Sequence, residues 1–282
     1  LFRIMFVWTL FSLSSIFSFK KKAGCLLACW SIWALNAQNK IPDDTLNTVY
    51  NKQTFAVYIF KAKAPKGTVL LLHGWHLPAS DWWTKTHVID TLIKNGFQVV
   101  CPDLDKCCYN DSVFSNTDPR YKNYPTRKWF RTALLNRLQK QGYFNPNQTN
   151  HVVGISTGSR GAALLLSDYP GLFNTAVLLS GDYDQTQMPN DGLMTACYGP
   201  YSKNKTRWQR TDNPVFYASK VLSRILLIHG KNDSIVPYQQ SKRYYHQLKS
   251  LNKKVEFVLV PNAGHEYILW SKQLLNYLHL MR

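Results

Sequence analysis

The pentapeptide Gly154-Ile155-Ser156-Thr157-Gly158 stands between an apolar run of β type, His151 to Ile155, and a helix-like run, Thr157 to Tyr169. A chain that turns sharply from strand to helix needs room for strained backbone, and the glycine at each end of the pentapeptide leaves that room. The beginning of the helix brings its dipole and its free N–H groups to the same place. This arrangement is a nucleophile elbow, and it predicts that Ser156 is the nucleophile of a hydrolase.

Two later segments carry the partners that a nucleophilic serine needs. The predicted strand Arg224 to Ile228 ends in His229-Gly230-Lys231-Asn232-Asp233, and a last strand, Val255 to Val260, leads into Pro261-Asn262-Ala263-Gly264-His265. We expect His265 to remove the proton of Ser156 during attack and later to protonate the leaving group. Asp233 is expected to hold the imidazole in the required tautomer and to stabilise its charged form.

The order of these residues along the chain is Ser156, Asp233, His265. That is the order of α/β-hydrolases, and it differs from the orders of the chymotrypsin and subtilisin types. An alternative acid is Asp182 or Asp184, at the end of the preceding strand.

The tetrahedral intermediate of acyl transfer needs two N–H donors. The run Thr68 to Leu72 reads as a buried strand and leads into His73-Gly74-Trp75, a loop that can aim a backbone N–H at a developing oxyanion. We assign the two donors to the backbone N–H groups of Trp75 and Thr157. The histidine of that tripeptide and His229 each precede a glycine at a strand end, and we interpret both as structural.

The segment Gly154-Ile155-Ser156-Thr157-Gly158-Ser159-Arg160-Gly161-Ala162 resembles the elbow of the α/β-hydrolase superfamily, and within it that of serine esterases of the esterase D and putative-esterase kind. Ser159 and Arg160 depart from the small residues or histidine that are commoner at those positions. The resemblance covers about residues 55 to 280 and includes all three motifs. It implies an α/β-hydrolase fold with a hydrolytic triad, and it leaves the substrate open.

Short runs rich in β-branched residues alternate with helical stretches. The strands are predicted at Phe55 to Phe60, Val69 to Leu72, Phe97 to Cys101, Val152 to Ile155, Ala176 to Leu179, Ile225 to Ile228 and Val255 to Val260. The helices are predicted at Trp82 to Asn95, Thr126 to Gln141, Thr157 to Tyr169, Pro237 to Ser250 and Glu266 to His279. Alternation with short connections predicts the α/β class, with a doubly wound, mostly parallel sheet and helices on both faces.

Two polar stretches, Asp103 to Pro125 and Gly181 to Pro214, interrupt this alternation. Both follow strands at the predicted catalytic edge, where loops of such folds shape the substrate cleft. The second stretch is only about 34 residues long, which predicts a small cap and a moderately open cleft. The aromatic candidates for the walls of that cleft are Trp75, Trp82, Trp83 and Trp208.

The first 37 residues read as a leader, and residues 38–282 as one α/β-hydrolase domain. Lys20-Lys21-Lys22 precedes an apolar run from Ala23 to Leu35, and the small residue Ala37 makes cleavage before Gln38 the expected processing of a signal peptide. We therefore expect an exported protein, periplasmic or secreted. The alternatives are a retained membrane anchor formed by residues 2–19, and a cytoplasmic enzyme with a buried N-terminal helix.

Six cysteines are present, and two of them lie in the leader. The remaining four are compatible with disulfides in an exported chain. Adjacent Cys107 and Cys108 are not expected to bond to each other, so we expect one of them to pair with Cys101 or Cys197; reduced, buried thiols are the alternative. No spacing typical of a metal site occurs, and we expect no metal or other cofactor.

The whole chain has a formal net charge of +18. Without the four basic residues of the leader, 30 basic and 16 acidic residues remain. Such an excess favours anionic surfaces such as an acidic membrane, an envelope polysaccharide or an acidic substrate, and it also serves solubility alone. No nucleic-acid recognition motif accompanies the charge, so we expect no nucleic-acid partner.

These features together predict a serine hydrolase that cleaves carboxylic esters through an acyl-enzyme intermediate. Its substrate would be a small-molecule ester or another acylated compound. Two alternatives remain: a serine peptidase or amidase with the same triad, and a non-catalytic binding protein of the same fold. The oligomeric state is not indicated by the sequence.

Overall fold

The computed structural model describes residues 40–50, 52–121 and 124–281, and the predicted leader lies outside this part of the chain. Within it, eight strands form one sheet. They are β1 (Asp44–Tyr50), β2 (Gln53–Phe60), β3 (Gly67–Leu72), β4 (Phe97–Asp103), β5 (His151–Ile155), β6 (Thr175–Leu179), β7 (Arg224–Gly230) and β8 (Val255–Val260).

The order across the sheet is β1-β2-β4-β3-β5-β6-β7-β8. All neighbours from β4 to β8 run parallel, whereas β2 is antiparallel to both β1 and β4. The mostly parallel sheet expected from the sequence is therefore confirmed. The hairpin partner β1 was not predicted, because its sequence Asp44–Tyr50 is mostly polar and exposed and contains no apolar run.

Helices cover the sheet between the strands. They are α1 (Asp81–Thr84), α2 (Val88–Lys94), α3 (Thr126–Trp129), α4 (Leu135–Lys140), α5 (Thr157–Asp168), α6 (Gly192–Tyr198), α7 (Pro214–Tyr217), α8 (Gln239–Ser250) and α9 (Tyr267–Asn276). A π-helical turn, Phe130–Leu134, joins α3 to α4.

Alternate residues of the central strands enter two separate hydrophobic clusters. In β3, Leu70 and Leu72 belong to one cluster, while Val69 and Leu71 belong to the other. Side chains of a strand point alternately to opposite faces, so the two clusters lie on the two faces of the sheet. The chain is thus doubly wound, as the sequence predicts.

A buried cation joins segments that are far apart in the sequence. The guanidinium of Arg127 binds both carboxylate oxygens of Asp168 at 2.7 and 2.8 Å and donates to the Thr211 carbonyl at 2.6 Å. It also lies 3.3 Å from the Asp212 carboxylate, which is fully buried. This network ties the end of α5 to residues 211 and 212, close to the end of the polar stretch 181–214.

The cap, residues 181–214, is small, as expected, and is covalently bonded to the rest of the domain. A disulfide joins Cys108, in the loop after β4, to Cys197 in α6. The other two cysteines of the described ranges, Cys101 and Cys107, are buried thiols. The pairing expected for Cys108 is thus present. A hydrophobic cluster joins the cap to the loop after β4; it consists of Cys108, Met194, Cys197, Tyr198 and Trp208, with Trp75 packed against it.

Across the described ranges, no helix combines the length and apolar character needed to cross a bilayer. Nor do three or more histidine, cysteine or acidic side chains in these ranges come together as a potential metal site.

We expect Arg127→Met to lower the free energy of unfolding by about 3–5 kcal/mol, because it leaves buried carboxylates without their cation. Urea denaturation followed by tryptophan fluorescence measures this loss. Lys128→Met, at the exposed neighbouring position, is the matched control and should change stability by less than about 0.5 kcal/mol. Equal losses in the two variants would contradict the structural role of the network.

Candidate active site

The elbow predicted around Ser156 is present between β5 and α5. Ser156 has φ 54° and ψ −126°, a backbone conformation that side-chain-bearing residues rarely adopt. Its N–H donates to the Leu179 carbonyl of the neighbouring strand at 2.9 Å. The residue is 9% exposed and lies directly after the central strand β5.

The two glycines of the elbow are required by close backbone contacts. A Cβ at Gly154 would lie 2.3 Å from the Gly158 carbonyl oxygen. A Cβ at Gly158 would lie 2.5 Å from the carbonyl oxygens of both Leu72 and His73. The first turn of α5 therefore rests directly on the end of β3, where the predicted oxyanion loop begins.

The predicted acid and base meet at the carboxyl ends of β7 and β8. Asp233 Oδ2 lies 2.7 Å from His265 Nδ1. The carboxylate is fully buried, whereas the imidazole is 13% exposed. Because a carboxylate can only accept, His265 donates through Nδ1, and its Nε2 is the nitrogen that can act as a base.

Asp233 accepts hydrogen bonds from other groups besides His265. Its Oδ1 accepts from the backbone N–H groups of Ile235 at 3.0 Å and Val236 at 2.8 Å. Burial would raise the pKa of Asp233, but the hydrogen bonds from His229, His265 and the Val236 N–H outweigh it and hold the pKa well below its usual range. The carboxylate is therefore charged at neutral pH.

His229, interpreted as structural from the sequence, contacts this carboxylate. Its Nε2 lies 2.9 Å from the Val236 carbonyl and 3.3 Å from Asp233 Oδ2. Both partners only accept, so Nε2 carries the proton, and Nδ1 accepts from the Ser241 hydroxyl at 2.7 Å. The side chain thus fixes the acid loop and adds a hydrogen bond to the acid, a role that its position before Gly230 did not reveal.

The loop after β7, which carries Asp233, and the loop after β8, which carries His265, also contact each other through backbone atoms. A Cβ at Gly230 would lie 2.4 Å from the Ala263 carbonyl oxygen. The Asn232 N–H donates to the same carbonyl at 2.9 Å. The Trp270 ring stands edge-on to the His265 imidazole, with centroids 4.9 Å apart, and limits its rotation.

The predicted oxyanion loop lies beside the nucleophile. A Cβ at Gly74 would lie 3.0 Å from the Cβ of Ser156. His73 donates from Nδ1 to the Gly74 carbonyl at 2.6 Å and accepts the Leu104 N–H at Nε2 at 2.7 Å. Burial lowers the pKa of His73, which keeps the ring neutral and suits this pair of contacts.

The hydrogen bond from His73 to the Gly74 carbonyl also affects the orientation of the Trp75 N–H. The Gly74 carbonyl and the Trp75 N–H belong to one planar peptide unit, so a hydrogen bond to the carbonyl also sets the direction of the N–H. Thr157, the other predicted donor, is the first residue of α5. Its N–H has no acceptor within the helix and is available to a ligand at the elbow.

The two alternative acids have other partners. Asp182 pairs with the fully buried guanidinium of Arg160, and Asp184 accepts from the Thr186 N–H and hydroxyl. Arg160 also donates to the Cys108 carbonyl at 2.9 Å. The unusual arginine after the elbow thus anchors the base of the cap.

The four tryptophans expected at the cleft differ in their surroundings. Trp82 is fully buried in the core, Trp208 is fully buried in the cluster of the cap, and Trp83 packs against Tyr58 and Phe60 of β2. Trp75 is half-exposed and belongs to the predicted oxyanion loop itself. Tryptophan packs well in any apolar core, so its presence in a loop sequence was a weak indication of a pocket wall.

We expect Gly158→Ala to lower the free energy of unfolding by about 1–3 kcal/mol, because the methyl group must push α5 away from β3. Chemical denaturation measures the change. Gly192→Ala is the matched control, since a Cβ there meets nothing closer than the Tyr121 hydroxyl at 3.9 Å. If both variants are equally stable, the close packing of the elbow on β3 is not as described.

The sequence model of the prolyl oligopeptidase family matches residues 131–280, a stretch that includes Ser156, Asp233 and His265. A probable chloroplastic glutamyl endopeptidase of rice, Oryza sativa subsp. japonica, is 30% identical over 142 residues, which are 48% of this chain and 14% of the rice protein. The chain therefore spans about one seventh of the length of that relative.

Solved structures show the same fold at low sequence identity. S-formylglutathione hydrolase of Staphylococcus aureus has a TM-score of 0.65 and 18% identity, covering 84% of this chain and 97% of that one. Acylaminoacyl peptidase of Pyrococcus horikoshii has a TM-score of 0.62 and 16% identity, covering 89% of this chain and 42% of that one. These likenesses confirm the expected α/β-hydrolase fold, and with the match over residues 131–280 they lead to one conclusion: the chain belongs to the prolyl oligopeptidase family of serine hydrolases.

Proposed function

We propose that the chain hydrolyses acyl compounds through an acyl-enzyme formed on Ser156, with His265 as general base and acid and Asp233 as the residue that orients it. The observation that carries this proposal is the 2.7 Å contact between Asp233 Oδ2 and His265 Nδ1. This contact leaves His265 Nε2 without the proton and thus able to accept one. Ser156, in its strained turn, lies at the same edge of the sheet. The backbone N–H groups of Trp75 and Thr157 are the proposed oxyanion donors.

The reaction proceeds in two halves. In the first, Ser156 Oγ bonds to the acyl carbon and its proton passes to His265 Nε2; the carbonyl oxygen becomes an oxyanion that the two N–H groups stabilise. The bond to the leaving group then breaks, and the leaving group takes the proton from His265. In the second half, water bonds to the acyl carbon and gives a proton to His265 Nε2. The bond from the acyl carbon to Ser156 Oγ then breaks, Oγ takes that proton from His265, and the carboxylic acid leaves.

We infer that the scissile bond is a peptide or related amide bond. Membership of the prolyl oligopeptidase family supports this, as does the likeness to a relative described as a probable glutamyl endopeptidase. Carboxylic esters, which we expected from the sequence, are the second candidate. The fold likeness to S-formylglutathione hydrolase, of which 97% is covered, supports them.

A matched substrate series separates these candidates. Peptide p-nitroanilides and alkyl esters with the same acyl part are compared by kcat/KM, since only the scissile bond then differs. Turnover of anilides that disappears in Ser156→Ala supports the peptidase. Hydrolysis of alkyl esters with no turnover of any anilide would assign the chain to the esterases.

We expect Ser156→Ala to lower kcat by at least about 10³-fold on whichever substrate is cleaved, with little change in stability, because it removes one partly exposed oxygen. Labelling by a fluorophosphonate probe should be lost in the same variant. A wild-type chain that does not label at all would indicate a non-catalytic binding protein. Activity above about a tenth of wild type in Ser156→Ala would remove this residue from the mechanism.

Asp233→Asn should keep the fold and lower kcat by about 10⁴-fold, the size of effect known for trypsin-type triads, because the amide cannot hold His265 in the required tautomer. Steady-state kinetics measures the loss, and thermal unfolding checks the fold. Asp184→Asn, at an alternative acid bonded to Thr186, is the control. If it reduces kcat as much as Asp233→Asn does, the assignment of the acid is wrong.

We also propose that the chain is exported. The apolar segment Ala23 to Leu35 after a lysine cluster supports this, and so does the disulfide of Cys108 with Cys197, because disulfides persist in oxidising compartments. We expect natively produced protein to begin near Gln38 and to protect one pair of its remaining cysteines from alkylation until it is reduced. N-terminal sequencing and intact mass measure both. An unprocessed chain with all of its cysteines reactive would refute the proposal.

A further inference from the structure

A basic cleft lies at the edge of the sheet away from the active site. We call it the basal patch and define it by Leu222, Arg224, Lys249, Lys253 and Lys254, which line a cleft of about 740 Å³. These residues come from the loop before β7, the first residue of β7, the end of α8 and the turn before β8. The patch thus collects the amino ends of two parallel strands.

The charges of the patch are largely free of counter-ions. Arg224 is paired with Glu256 at 2.6 Å, and Glu256 is the acidic residue that lines the same cleft. Lys253 donates to the Ser219 carbonyl at 2.6 Å, a contact that orients its ammonium without neutralising it. Lys249 and Lys254 are exposed. The cleft therefore carries a net positive charge.

An apolar side chain stands among these cations. Leu222 is 66% exposed, although its neighbours Val221 and Ser223 are buried. Exposing a leucine to water has a free-energy cost that burial against an apolar phase would recover. A free anion would satisfy the lysines but leave Leu222 in water.

The patch and the active site lie at opposite ends of the same strands. Arg224 begins β7, whereas Asp233 lies beyond the end of β7, and six residue steps along a strand span about 20 Å. Ser156 and His265 likewise follow the carboxyl ends of β5 and β8. A surface bound to the patch would therefore leave the catalytic edge facing water.

We propose that the basal patch docks the protein on an anionic phospholipid bilayer. The lysines contact the headgroup phosphates, and Leu222 inserts at the boundary with the acyl chains. A bilayer is the occupant that offers both an anionic surface and an apolar layer beneath it. In this orientation the active site receives its substrate from the aqueous side.

The test uses the chain from Gln38 onward, because residues 40–282 form a compact unit of their own and the apolar leader would bind vesicles by itself. Co-sedimentation compares vesicles of phosphatidylcholine with mixed vesicles of phosphatidylcholine and phosphatidylglycerol. We expect binding to the anionic vesicles only, and binding that weakens as salt is added.

Two variants and one control separate the patch from overall charge. Lys249→Gln/Lys254→Gln should weaken binding to anionic vesicles about 30-fold, since each lysine near such a surface contributes a factor of roughly five. Leu222→Ser should weaken it about tenfold. The control Lys203→Gln/Lys205→Gln removes the same charge from exposed positions in the cap, after α6. It should leave binding within about twofold of wild type.

The proposal is overturned by any of three results. These are equal binding to neutral and anionic vesicles, an equal loss in the control and the basal double variants, and full vesicle binding by Leu222→Ser. In the last case, equally tight binding to soluble dextran sulfate would identify the patch as a general polyanion site. Hydrolytic activity plays no part in this assay, so its outcome is independent of the proposed function.

Discussion

The proposed active site depends on a backbone contact that only glycine allows. With no side chain at Gly158, the first turn of α5 lies against the carbonyl groups at the end of β3. Ser156 and the loop that begins at His73 are thereby held at a separation set by van der Waals contact, without any flexible side chain between them. Preorganised N–H donors lose little energy to rearrangement when charge develops, so this rigid contact matters for rate as well as for stability.

Much of the site could be predicted because its parts lie at the ends of buried strands. Ser156, Asp233 and His265 each follow an apolar run, and parallel strands bring their carboxyl ends to one edge of the sheet. The roles of His73 and His229 were not predictable, because they depend on which carbonyl, carboxylate or hydroxyl group each ring meets after folding. Both histidines were visible before glycines, but a dipeptide does not specify the hydrogen bonds of its side chain.

Contacts between residues far apart in the chain could not be predicted from the sequence either. The pairing of Arg160 with Asp182 joins residues 22 positions apart, and Arg127 contacts Asp212 across 85 positions. Nothing in the local sequence indicates that these charges are buried. Without that information, a basic helical stretch such as Thr126 to Gln141 reads as a solvated surface, although one of its arginines organises the interior.

The position of β8 has a consequence for how the protein responds to heat. β8 is an edge strand, with neighbours on one side only, and most of its side chains are half-exposed or exposed, whereas β5 is buried throughout. Edge elements open locally at a lower free energy than the centre of a sheet. Since His265 follows β8 and Ser156 follows β5, fraying of this edge separates the proposed base from the proposed nucleophile while the central strands remain folded. Thermal inactivation should therefore begin below the temperature at which the sheet itself unfolds.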